Sequence, residues 1–403
     1  MLTEDEARQR ILASITPLPP QRVPLIQALD HYAAETLFAT VPLPGFDNSS
    51  MDGYAVRAED TLSSTTAMRI VGEQPAGPRR DLTVSPGTAI RIFTGAPVPP
   101  GADAVIMQED VDVLTQEGGR KILCREPVVV GENIRPAGID LCQGQKILQA
   151  GERLTAARLG VLASQGLDQV AIPGPPRLVV ATTGDELQAA GQPLQPGQIY
   201  NSNGIMLQSL VRRLTGISST VAHLPDDLEV TTEGLRSLMA AHDFLILSGG
   251  VSVGDHDCVK PALRALGIDP EFWRVRIRPG KPFLSVVAQQ PDGHICHLFG
   301  LPGNPVSSFV TFSLLVRPAL LKALGARTEE LVPQTRPIVL ANDLTNRGDR
   351  PFYMCGRLAG DRFSTTGIQQ SHALFGLSQA NAMVKLDPNE QKKQGAEVTA
   401  YLF

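Results

Sequence analysis

Four polar, glycine-rich loops contain most of the residues in this sequence whose types and spacing could do chemistry. They cover residues 182–186, 224–227, 248–257 and 299–305, and each follows a predicted apolar strand. If these strands form a parallel sheet, their carboxyl ends lie at one edge, and ligands bind in the crevice beyond that edge. The sequence therefore predicts that the four loops converge on one site.

Two of the loops have features of oxyanion-binding turns. Residues 248–250, Ser-Gly-Gly, should leave backbone N–H groups open to a phosphate or a similar oxyanion. Asn304 is a predicted helix N-cap with Pro305 at the first helical position, so the N–H groups of residues 306–308 should face outward. A helix start of this kind attracts anions.

Charged side chains accompany these turns. The segment 278–282, Arg-Pro-Gly-Lys-Pro, places two cations on a stiff, turned backbone, and Lys281 is expected to point into the same space. The neighbouring carboxylates are Glu186, Asp226, Asp255 and Asp257. Carboxylates repel a phosphate unless a hard cation lies between them, and Mg²⁺ held by one or two carboxylates plus phosphate oxygens resolves that conflict. We therefore expect a nucleotide or phosphoanhydride ligand with Mg²⁺.

Each feature alone has a simpler structural interpretation. A single glycine-rich loop is more often a tight strand–helix turn than a ligand site. Asp226 and Asp227 could cap the next helix, and Ser307 and Ser308 could satisfy their own helix start. The seven histidines show no spacing typical of a metal site. Four such loops at corresponding positions favour the ligand-binding interpretation.

Alternating strands and helices must position these loops. From residue 177 to about 326, apolar strands alternate with helices, which predicts a parallel or mixed sheet covered by helices. Before this region, helices are predicted near 3–16 and 25–36. The segment between them and the α/β region is predicted to be β-rich, with strands at 68–71, 88–93, 104–107 and 127–130. After about residue 327 the predicted helices stop, which indicates a small β domain.

The composition limits the classes of function. A chain of 403 residues, at roughly 150 residues per domain, should hold two to four domains. The formal net charge of −5 argues against nucleic acid as the main partner and against polybasic docking to a membrane. The five cysteines are scattered, and the acidic N-terminus lacks the features of a signal peptide. We expect a reduced, cytoplasmic protein without a membrane segment.

The motifs together resemble one family, the molybdopterin molybdenumtransferases, which comprise bacterial MoeA and the gephyrin E domain. The matching segments occur in the family's order and cover nearly the whole chain. They are residues 48–55, 93–103, 131–135, 183–186, 248–255, 278–282 and 301–307. Each segment alone is weak evidence for the family, whereas the whole set in this order is highly specific for it.

The resemblance implies a multi-domain fold of α/β plus β type, in an elongated subunit that forms a homodimer. Its centre would be a three-layer α/β molybdopterin-binding domain, accompanied by an inserted β module and a C-terminal β-barrel. The implied boundaries are 1–44 with 136–175 for a discontinuous N-terminal dimerisation domain, 45–135 for the β module, 176–326 for the α/β domain and 327–403 for the barrel.

The resemblance also implies an activity and its residues. The family inserts molybdate into the dithiolene of adenylylated molybdopterin, cleaves the phosphoanhydride with the help of Mg²⁺ and releases AMP. The matched metal ligands are Asp226, Asp255 and Asp257. The residues matched to catalysis are Asp52, Thr94, Glu186, Asp226, Asp257, Arg278 and Lys281. Those matched to cofactor binding are Ser248, Gly249, Gly250, Pro302, Asn304, Pro305, Ser307, Arg350 and Ser371.

Some of the matched residues have implied roles at the dimer interface or in binding molybdate. By resemblance, Asp52 and Thr94 complete the pocket across the dimer interface, and Arg135 and Asp140 are additional members of it. Molybdate is a tetrahedral dianion that needs fixed donors and positive charge, and five residues are matched to that role. These are Arg278, Lys281, Ser307, Arg350 and Ser371.

The sequence departs from the family pattern at two places. Arg274 and Arg278 occupy positions where the bacterial pattern often has Lys, so the charge survives while reach and fork geometry differ. The segment 350–357 lacks the Phe-x-Arg-Gly arrangement typical of the family, which bears on the role of Arg350.

Two further interpretations stay open at this point. One is a non-catalytic scaffold, because the E-domain fold also clusters receptors, although these 403 residues show no fused partner domain or interaction tail. The other is an enzyme specialised for tungstate, which matches molybdate in charge and shape. The expected partners are a second copy of the chain, the two substrates, the upstream adenylyltransferase and recipient molybdoenzymes, without nucleic acid or membrane.

Overall fold

The computed structural model describes most of the chain and divides it into two units. The described residues are 1–63, 65–116, 119–217, 219–251 and 257–403. One unit comprises Met1–Glu35, Ala150–Ala156 and Gln169–Phe403, and the other comprises Thr36–Gln149 and Ala157–Asp168. This division is coarser than the predicted four domains, whose boundaries stay a prediction.

A mixed sheet forms the centre of the first unit. Its six strands, within the described part of the chain, are β1 (Leu178–Thr183), β2 (Thr220–Leu224), β3 (Phe244–Ser248), β4 (Phe272–Arg274), β5 (Pro282–Gln289) and β6 (Ile295–Leu301). They lie in the order β2-β1-β3-β6-β5-β4. β2, β1, β3 and β6 are parallel, whereas β5 and β4 are antiparallel additions at one edge. The four strands that precede the polar loops are therefore parallel, as the sequence predicted.

Helices cover both faces of this sheet. They are α1 (Glu4–Ser14), α2 (Ser202–Thr215), α3 (Leu228–Ala241), α4 (Val259–Ala265) and α5 (Pro305–Thr311), which continues through a π turn at Phe312–Val316 into α6 (Arg317–Ala323). Val180 and Ile246 pack against α1, α2 and the α5–α6 helix. Their neighbours Val179 and Leu245 face α3 and α4. The alternation of side chains along buried parallel strands therefore produces the expected three layers.

The helix Pro305–Ala323 is long and apolar enough to cross a membrane by length and composition alone. Within the structure, 89% of its apolar window is buried. Val310, Leu314 and Leu320 belong to the core of the α/β unit, where they contact residues of the sheet and of α1. Its apolarity is accounted for by packing in this core.

A closed barrel follows the sheet in the first unit. Its strands are β7 (Thr335–Leu340), β8 (Phe352–Ala359), β9 (Arg362–Thr365), β10 (Ala382–Leu386) and β11 (Glu397–Leu402), in the order β7-β9-β8-β10-β11. The predicted C-terminal barrel is confirmed. The expectation that helices stop after residue 327 is wrong in detail, because Thr328–Leu331 and Leu374–Ser378 are short helices.

The second unit contains the predicted β module. Its sheet has the strand order Ala104–Met107, Gly53–Val56, Thr88–Ile92, Met68–Gln74, Gly119–Cys124 and Val111–Gln116. The strand predicted at 127–130 is not formed in this described part of the chain. Instead, Val129 and Glu132 close a turn in which the Val129 N–H donates to the Glu132 carboxylate (2.9 Å). Val129 and Val130 are 69% and 72% exposed, so no burial compensates for an unpaired strand.

Short paired segments complete the two units. The pairs are Pro20–Pro24 with Gln169–Pro173, Leu37–Phe38 with Lys146–Leu148, Asn48–Ser49 with Ile134–Arg135, Leu187–Gln188 with Ile199–Tyr200, and Leu344–Thr345 with Gln391–Lys392. A helix spans Ala156–Ser164. Short 3₁₀ turns occur at Leu25–Gln27, Ala58–Thr61 and Gln108–Asp110.

The helix predicted near 25–36 is wrong beyond its first turn. Only Leu25–Gln27 is helical, as a 3₁₀ turn, and Asp30 adopts a φ of 66° that ends any helix. The following backbone pairs with distant chain instead, since the Ala33 N–H donates to Glu152 (2.9 Å) and the Ala34 N–H to Ala171 (2.9 Å). Tertiary hydrogen bonds thus replace the helical ones that the local sequence allowed.

The buried imidazole of His297 should make the stability of the α/β unit depend on pH. His297 is 8% exposed on β6 and stacks on Phe244 with 5.5 Å between ring centroids. Burial lowers the pKa of His297 from 6.5 to about 4, against the opposing charge of Asp243. Between these values the unfolded chain binds a proton that the folded chain does not, so the free energy of unfolding falls as the pH falls.

The expected contribution of His297 is a loss of about 2 kcal/mol in the free energy of unfolding between pH 7 and pH 5. His297→Phe should remove that part of the pH dependence while preserving a ring on Phe244. Denaturant unfolding followed by the fluorescence of Trp273, the chain's single tryptophan, measures this unit. Equal pH dependence in the two proteins would mean that the pKa of His297 is the same in the folded and the unfolded chain.

Candidate functional site

The four polar loops converge on one large cavity in the first unit. Its volume is about 1120 Å³, and it lies beyond the carboxyl ends of β1, β2, β3 and β6. Fourteen of the sequence-predicted site residues line it. They are Glu186, Asp226, Ser248, Gly249, Gly250, Asp257, Arg278, Lys281, Pro302, Asn304, Pro305, Ser307, Arg350 and Ser371. The structure therefore brings these residues together, while their roles stay predictions.

Other predicted site residues lie elsewhere. Asp52, Thr94, Arg135 and Asp140 belong to the second unit and are not among the residues that line the cavity. Asp255, which was predicted to be a metal ligand, lies outside the described residues.

The acidic side of the cavity begins with a pair of interlocked loops. The Asp226 N–H donates to the carboxylate of Asp185 (3.1 Å), and the Asp185 N–H approaches the carboxylate of Asp226 (3.4 Å). This reciprocal arrangement joins the loops that follow the neighbouring strands β1 and β2. Asp227 instead caps α3 by accepting from the Val230 N–H (2.9 Å), which is the simpler structural role that the sequence allowed.

One carboxylate oxygen of Asp257 accepts a hydrogen bond within the protein, and the other has no hydrogen-bond partner among the described residues. Its Oδ1 accepts from the Val259 N–H (3.2 Å) at the start of α4. Its Oδ2 is buried and has no hydrogen-bond partner among the described residues. Burial, with a smaller contribution from the charge of Asp226, raises the pKa of Asp257 to about 6, although Lys260 and two backbone N–H groups oppose the shift.

These two carboxylates are compatible with Mg²⁺. A cation beside Asp257 would supply a partner for the buried Oδ2 and would offset the cost of burying its charge. Among the described residues, no group of three or more His, Cys, Asp or Glu side chains is arranged to hold a metal. Mg²⁺ is usually bound by one or two carboxylates together with substrate phosphates, so a pair of aspartates suffices for such a site.

Cations line the cavity from the connection between β4 and β5, at the edge of the sheet away from β2, and this part is here called the cationic side. Arg278 and Lys281 line it from the predicted Arg-Pro-Gly-Lys segment, and Arg350 approaches from the barrel. The guanidinium carbon of Arg278 lies 4.2 Å from the ring centroid of Phe352, so an aromatic face orients this cation. Arg350 donates from Nη1 to the carbonyl oxygen of Ile277 (2.9 Å), which keeps it beside the same segment.

The loop Ser248–Gly250 is shaped for close packing, and its groups are less open than predicted. A Cβ on Gly249 would lie 2.8 Å from the Thr183 hydroxyl, and one on Gly250 would lie 2.4 Å from Val259. Both glycines also have a positive φ, so backbone strain as well as steric overlap excludes larger residues at these positions. The Gly249 N–H donates to Leu301 (3.1 Å), and the Ser248 hydroxyl accepts from Asn203 (2.9 Å). The prediction of open donors is wrong for Gly249.

The start of α5 also differs from its prediction. Asn304 is the N-cap and Pro305 the first helical residue, as expected. However, the Val306 N–H donates to the Ser371 carbonyl oxygen (3.0 Å), and the Ser308 N–H donates to Asn304 (3.0 Å). The barrel therefore occupies a donor that was expected to face a ligand.

Sequence reasoning missed two contributions to this cavity. Asn203 at the start of α2 donates to both the Ser248 hydroxyl (2.9 Å) and the Gly303 carbonyl oxygen (2.7 Å), and its Oδ1 is buried without a partner among the described residues. It thereby joins the loops after β3 and β6. The barrel supplies Phe352 and Tyr353. The sequence indicated the role of Asn203 only through the presence of a second Asn near a helix start. It gave no indication that Phe352 and Tyr353 would line the cavity.

The second unit holds an exposed, hydrogen-bonded pair, Asp52 and Thr94. Oδ1 of Asp52 accepts from both the N–H and the hydroxyl of Thr94, each at 2.8 Å. These hydrogen bonds lower the pKa of Asp52, and the charge of Arg91 acts in the same direction. Asp52 is thus a fixed, ionised carboxylate at the surface of this unit.

Family comparisons match almost the whole chain. Residues 2–166 match the MoeA N-terminal region (domain I and II), residues 179–322 match a probable molybdopterin binding domain, and residues 337–403 match the MoeA C-terminal region (domain IV).

Individual relatives give the same result. The chain is 36% identical over 393 residues to a molybdopterin molybdenumtransferase of Haemophilus influenzae, covering 96% of this chain and 95% of the relative. It is also 36% identical over 394 residues to molybdopterin molybdenumtransferase 2 of Mycobacterium tuberculosis, covering 94% of each. A crystal structure of the molybdopterin biosynthesis protein MoeA from Pyrococcus horikoshii superposes with a TM-score of 0.85 at 29% identity, covering 100% of this chain and 99% of that one.

Proposed function

Because this chain belongs to the MoeA family of molybdopterin molybdenumtransferases, enzymes of molybdenum cofactor biosynthesis, we propose that it inserts molybdate into the dithiolene of adenylylated molybdopterin and releases AMP. The observation that carries the proposal is the cavity of about 1120 Å³ that is lined by both carboxylates and cations. A phosphoanhydride with its metal ion requires carboxylates, and an entering oxyanion requires cations.

The acidic side would bind the phosphoanhydride end of the substrate. Asp226 and Asp257 are the described residues that would hold Mg²⁺ there, with Asp255 as a third candidate. When bound, Mg²⁺ would neutralise phosphate charge and act as a Lewis acid toward the phosphoanhydride. The turn at the start of α4 fixes Asp257, and the interlocked loops fix Asp226, so both carboxylates are oriented before the substrate arrives.

The cationic side would bind molybdate. Arg278, Lys281 and Arg350 supply positive charge, and Ser307 and Ser371 contribute polar groups at the start of α5. Charge-assisted hydrogen bonds to a dianion are stronger than neutral ones, and a planar guanidinium offers paired donors. These cations would offset the repulsion between the oxyanion and the carboxylates of the same cavity.

Molybdate-dependent release of AMP tests this proposal. The purified protein would be mixed with adenylylated molybdopterin and Mg²⁺, with or without molybdate, and AMP followed by chromatography. We expect release stimulated by molybdate and a product that activates a cofactor-free molybdoenzyme. Tight pterin binding without release would instead support the scaffold interpretation, and stimulation by tungstate alone would support an enzyme specialised for tungsten.

We further propose that the functional form is a homodimer in which Asp52 and Thr94 of one chain complete the cavity of the other. Asp52→Asn is expected to lower AMP release by roughly tenfold to 100-fold, because an oriented negative charge is lost. The free energy of unfolding should change by less than about 1 kcal/mol, since the carboxylate is exposed. Asp112→Asn is the matched control, because Asp112 is another exposed carboxylate of the same unit with a lowered pKa.

Coexpression of two inactive variants tests the sharing of sites directly. In a dimer of one Asp52→Asn chain and one Asp226→Asn chain, one of the two shared sites keeps both native aspartates. Random pairing should therefore restore about a quarter of wild-type activity. If each chain forms its site alone, the mixture should remain as inactive as the two variants.

The remaining expectations follow from this assignment. The upstream adenylyltransferase and the recipient molybdoenzymes are the proposed further partners, and the cytoplasm is the proposed location. Nucleic acid and membrane have no part in the proposed reaction.

A further inference from the structure

The two loop cations of the cavity lie on a short stretch, residues 275–281, here called the cation segment. Val275 and Ile277 are fully buried in the core, whereas Arg278 and Lys281 line the cavity. One set of side chains thus anchors the cation segment while the other carries its charge. Whatever fixes the backbone of this segment also fixes the positions of both cations.

The beginning of the chain holds one side of the cation segment. Leu2 forms a parallel bridge with Val275, and the Arg276 N–H donates to the Leu2 carbonyl oxygen (2.7 Å). Immediately after Leu2, Thr3 caps α1 through a reciprocal pair of hydrogen bonds with Glu6. The first residues of the chain are therefore fixed on both sides.

The barrel holds the other side. The Arg278 N–H donates to Pro351 (2.8 Å), and the Tyr353 N–H donates to the carbonyl oxygen of Arg278 (2.8 Å). Arg276 adds a hydrogen bond from Nη2 to the carbonyl oxygen of Asp349 (3.1 Å). The cation segment thus lies between the chain start and the barrel residues that lead into β8.

A buried hydrogen bond joins these two anchors. The Tyr353 hydroxyl, on a residue 1% exposed, donates to the carboxylate of Glu4, which is 8% exposed in the first turn of α1. Arg8 pairs with the same carboxylate at 2.7 Å, and Lys385 of β10 approaches it at 3.8 Å. A buried charge is costly unless it is paired, so these contacts make Glu4 a fixed point rather than a surface residue.

We propose that Glu4 and Tyr353 are positioning residues whose buried hydrogen bond holds the chain start and β8 together around the cation segment, and so sets the places of Arg278 and Lys281 in the cavity. The identity of the oxyanion that these cations bind rests on the proposed function. The mechanical part of the proposal does not, because it concerns contacts within the protein.

Tyr353→Phe and a matched control, Tyr32→Phe, separate positioning from simple stability. Tyr32 is 7% exposed and donates to Glu330 (3.0 Å) in the same unit. Neither Tyr32 nor Glu330 lines the cavity, whereas Tyr353 does, and Tyr353→Phe keeps the aromatic ring there. Both substitutions remove the hydroxyl of a buried tyrosine that donates to a glutamate, although Glu330 is only partly buried. Hydrogen exchange of peptides covering residues 275–281 should accelerate about tenfold in Tyr353→Phe and remain near wild type in Tyr32→Phe.

The kinetic result should follow the same pattern. Tyr353→Phe is expected to raise the KM for molybdate about tenfold with a smaller change in kcat, while Tyr32→Phe keeps both values. Glu4→Gln retains an acceptor for the hydroxyl and should stay within about threefold of wild type, whereas Glu4→Ala should match Tyr353→Phe. The double variant Glu4→Ala with Tyr353→Phe should be no worse than Glu4→Ala alone, because Glu4→Ala already removes the hydrogen bond that Tyr353→Phe loses.

Equal exchange rates and equal KM values in Tyr353→Phe and Tyr32→Phe would overturn the proposal. Failure of the wild-type protein to release AMP would contradict the proposed function instead. The hydrogen-exchange experiment would still decide whether Glu4 and Tyr353 position the cation segment. If Tyr353→Phe does not fold, the comparison of Glu4→Gln with Glu4→Ala decides both parts.

Discussion

Replacing Asp226 by Asn is expected to lower molybdate-dependent AMP release by roughly 100-fold to 1000-fold, because a preoriented charge is removed from the cavity. Asp226 is exposed, and its backbone N–H, which donates to Asp185, is unchanged by the substitution. The free energy of unfolding should therefore stay within about 0.5 kcal/mol of the wild-type value. Mg²⁺ titrations of AMP release should show a raised requirement for the metal.

Asp227→Asn is the control for this substitution. It removes a charge from the neighbouring residue, which caps α3 and does not line the cavity. Asn caps helices about as well as Asp, so stability and activity should both be retained. Equal losses in Asp226→Asn and Asp227→Asn would show that general charge in these loops matters rather than Asp226 itself.

Asp257 requires a milder change than alanine. Its Oδ1 accepts from the Val259 N–H, so Asp257→Ala should cost about 1 kcal/mol in addition to any loss of activity. Asp257→Asn keeps an acceptor at that position and is expected to match the activity loss of Asp226→Asn.

Replacing Lys281 by Met is expected to raise the KM for molybdate by roughly tenfold to 100-fold, since one charge-assisted hydrogen bond to a dianion is lost. Lys281 is exposed within the cavity, so its removal opens no space in the core. Steady-state kinetics of AMP release at varied molybdate concentration measures the effect. The KM for tungstate, which has the same charge and shape, should rise in parallel.

Charge rather than residue identity should govern this second effect. Lys281→Arg is expected to retain most of the affinity, because the positive charge remains although reach and hydrogen-bond geometry change. Lys393→Met is the matched control, since Lys393 forms an exposed ion pair with Asp343 in the barrel. A rise in KM in Lys281→Met that is no larger than in Lys393→Met would remove Lys281 from the molybdate site.

The convergence of the four loops could be predicted because it depends on local patterns and one rule of sheets. Short apolar runs, each followed by polar turn residues, identify β1, β2, β3 and β6 without any long-range information. Once these strands are parallel, their carboxyl ends must share an edge. The positions of Asp226, Asp257 and the start of α5 then follow from their places in the chain.

The hydrogen bonds within the site could not be predicted in the same way. The donors on Gly249 and Val306 appeared free in the sequence, yet Leu301 and Ser371 accept from them. These acceptors lie 52 and 65 positions further along the chain, counted as 301 − 249 and 371 − 306. A local pattern shows which donors a turn exposes, but only tertiary structure shows which distant carbonyl groups reach them.

The contribution of the barrel was hidden for a related reason. Phe352 and Tyr353 belong to an ordinary alternating strand, and nothing in their spacing distinguishes a cavity wall from a core. Likewise, residues 25–36 have helical periodicity, but pairing of Ala33 and Ala34 with distant backbone overrides it. Both cases depend on packing between segments far apart in sequence.

The most direct test of the central claim is to locate the oxyanion in a crystal of the wild-type protein soaked with tungstate, using the anomalous scattering of tungsten. The account predicts one strong peak inside the cavity, within hydrogen-bonding reach of Arg278 or Lys281, that weakens in Lys281→Met crystals. A peak found only outside the cavity, or one unchanged by Lys281→Met, would contradict it.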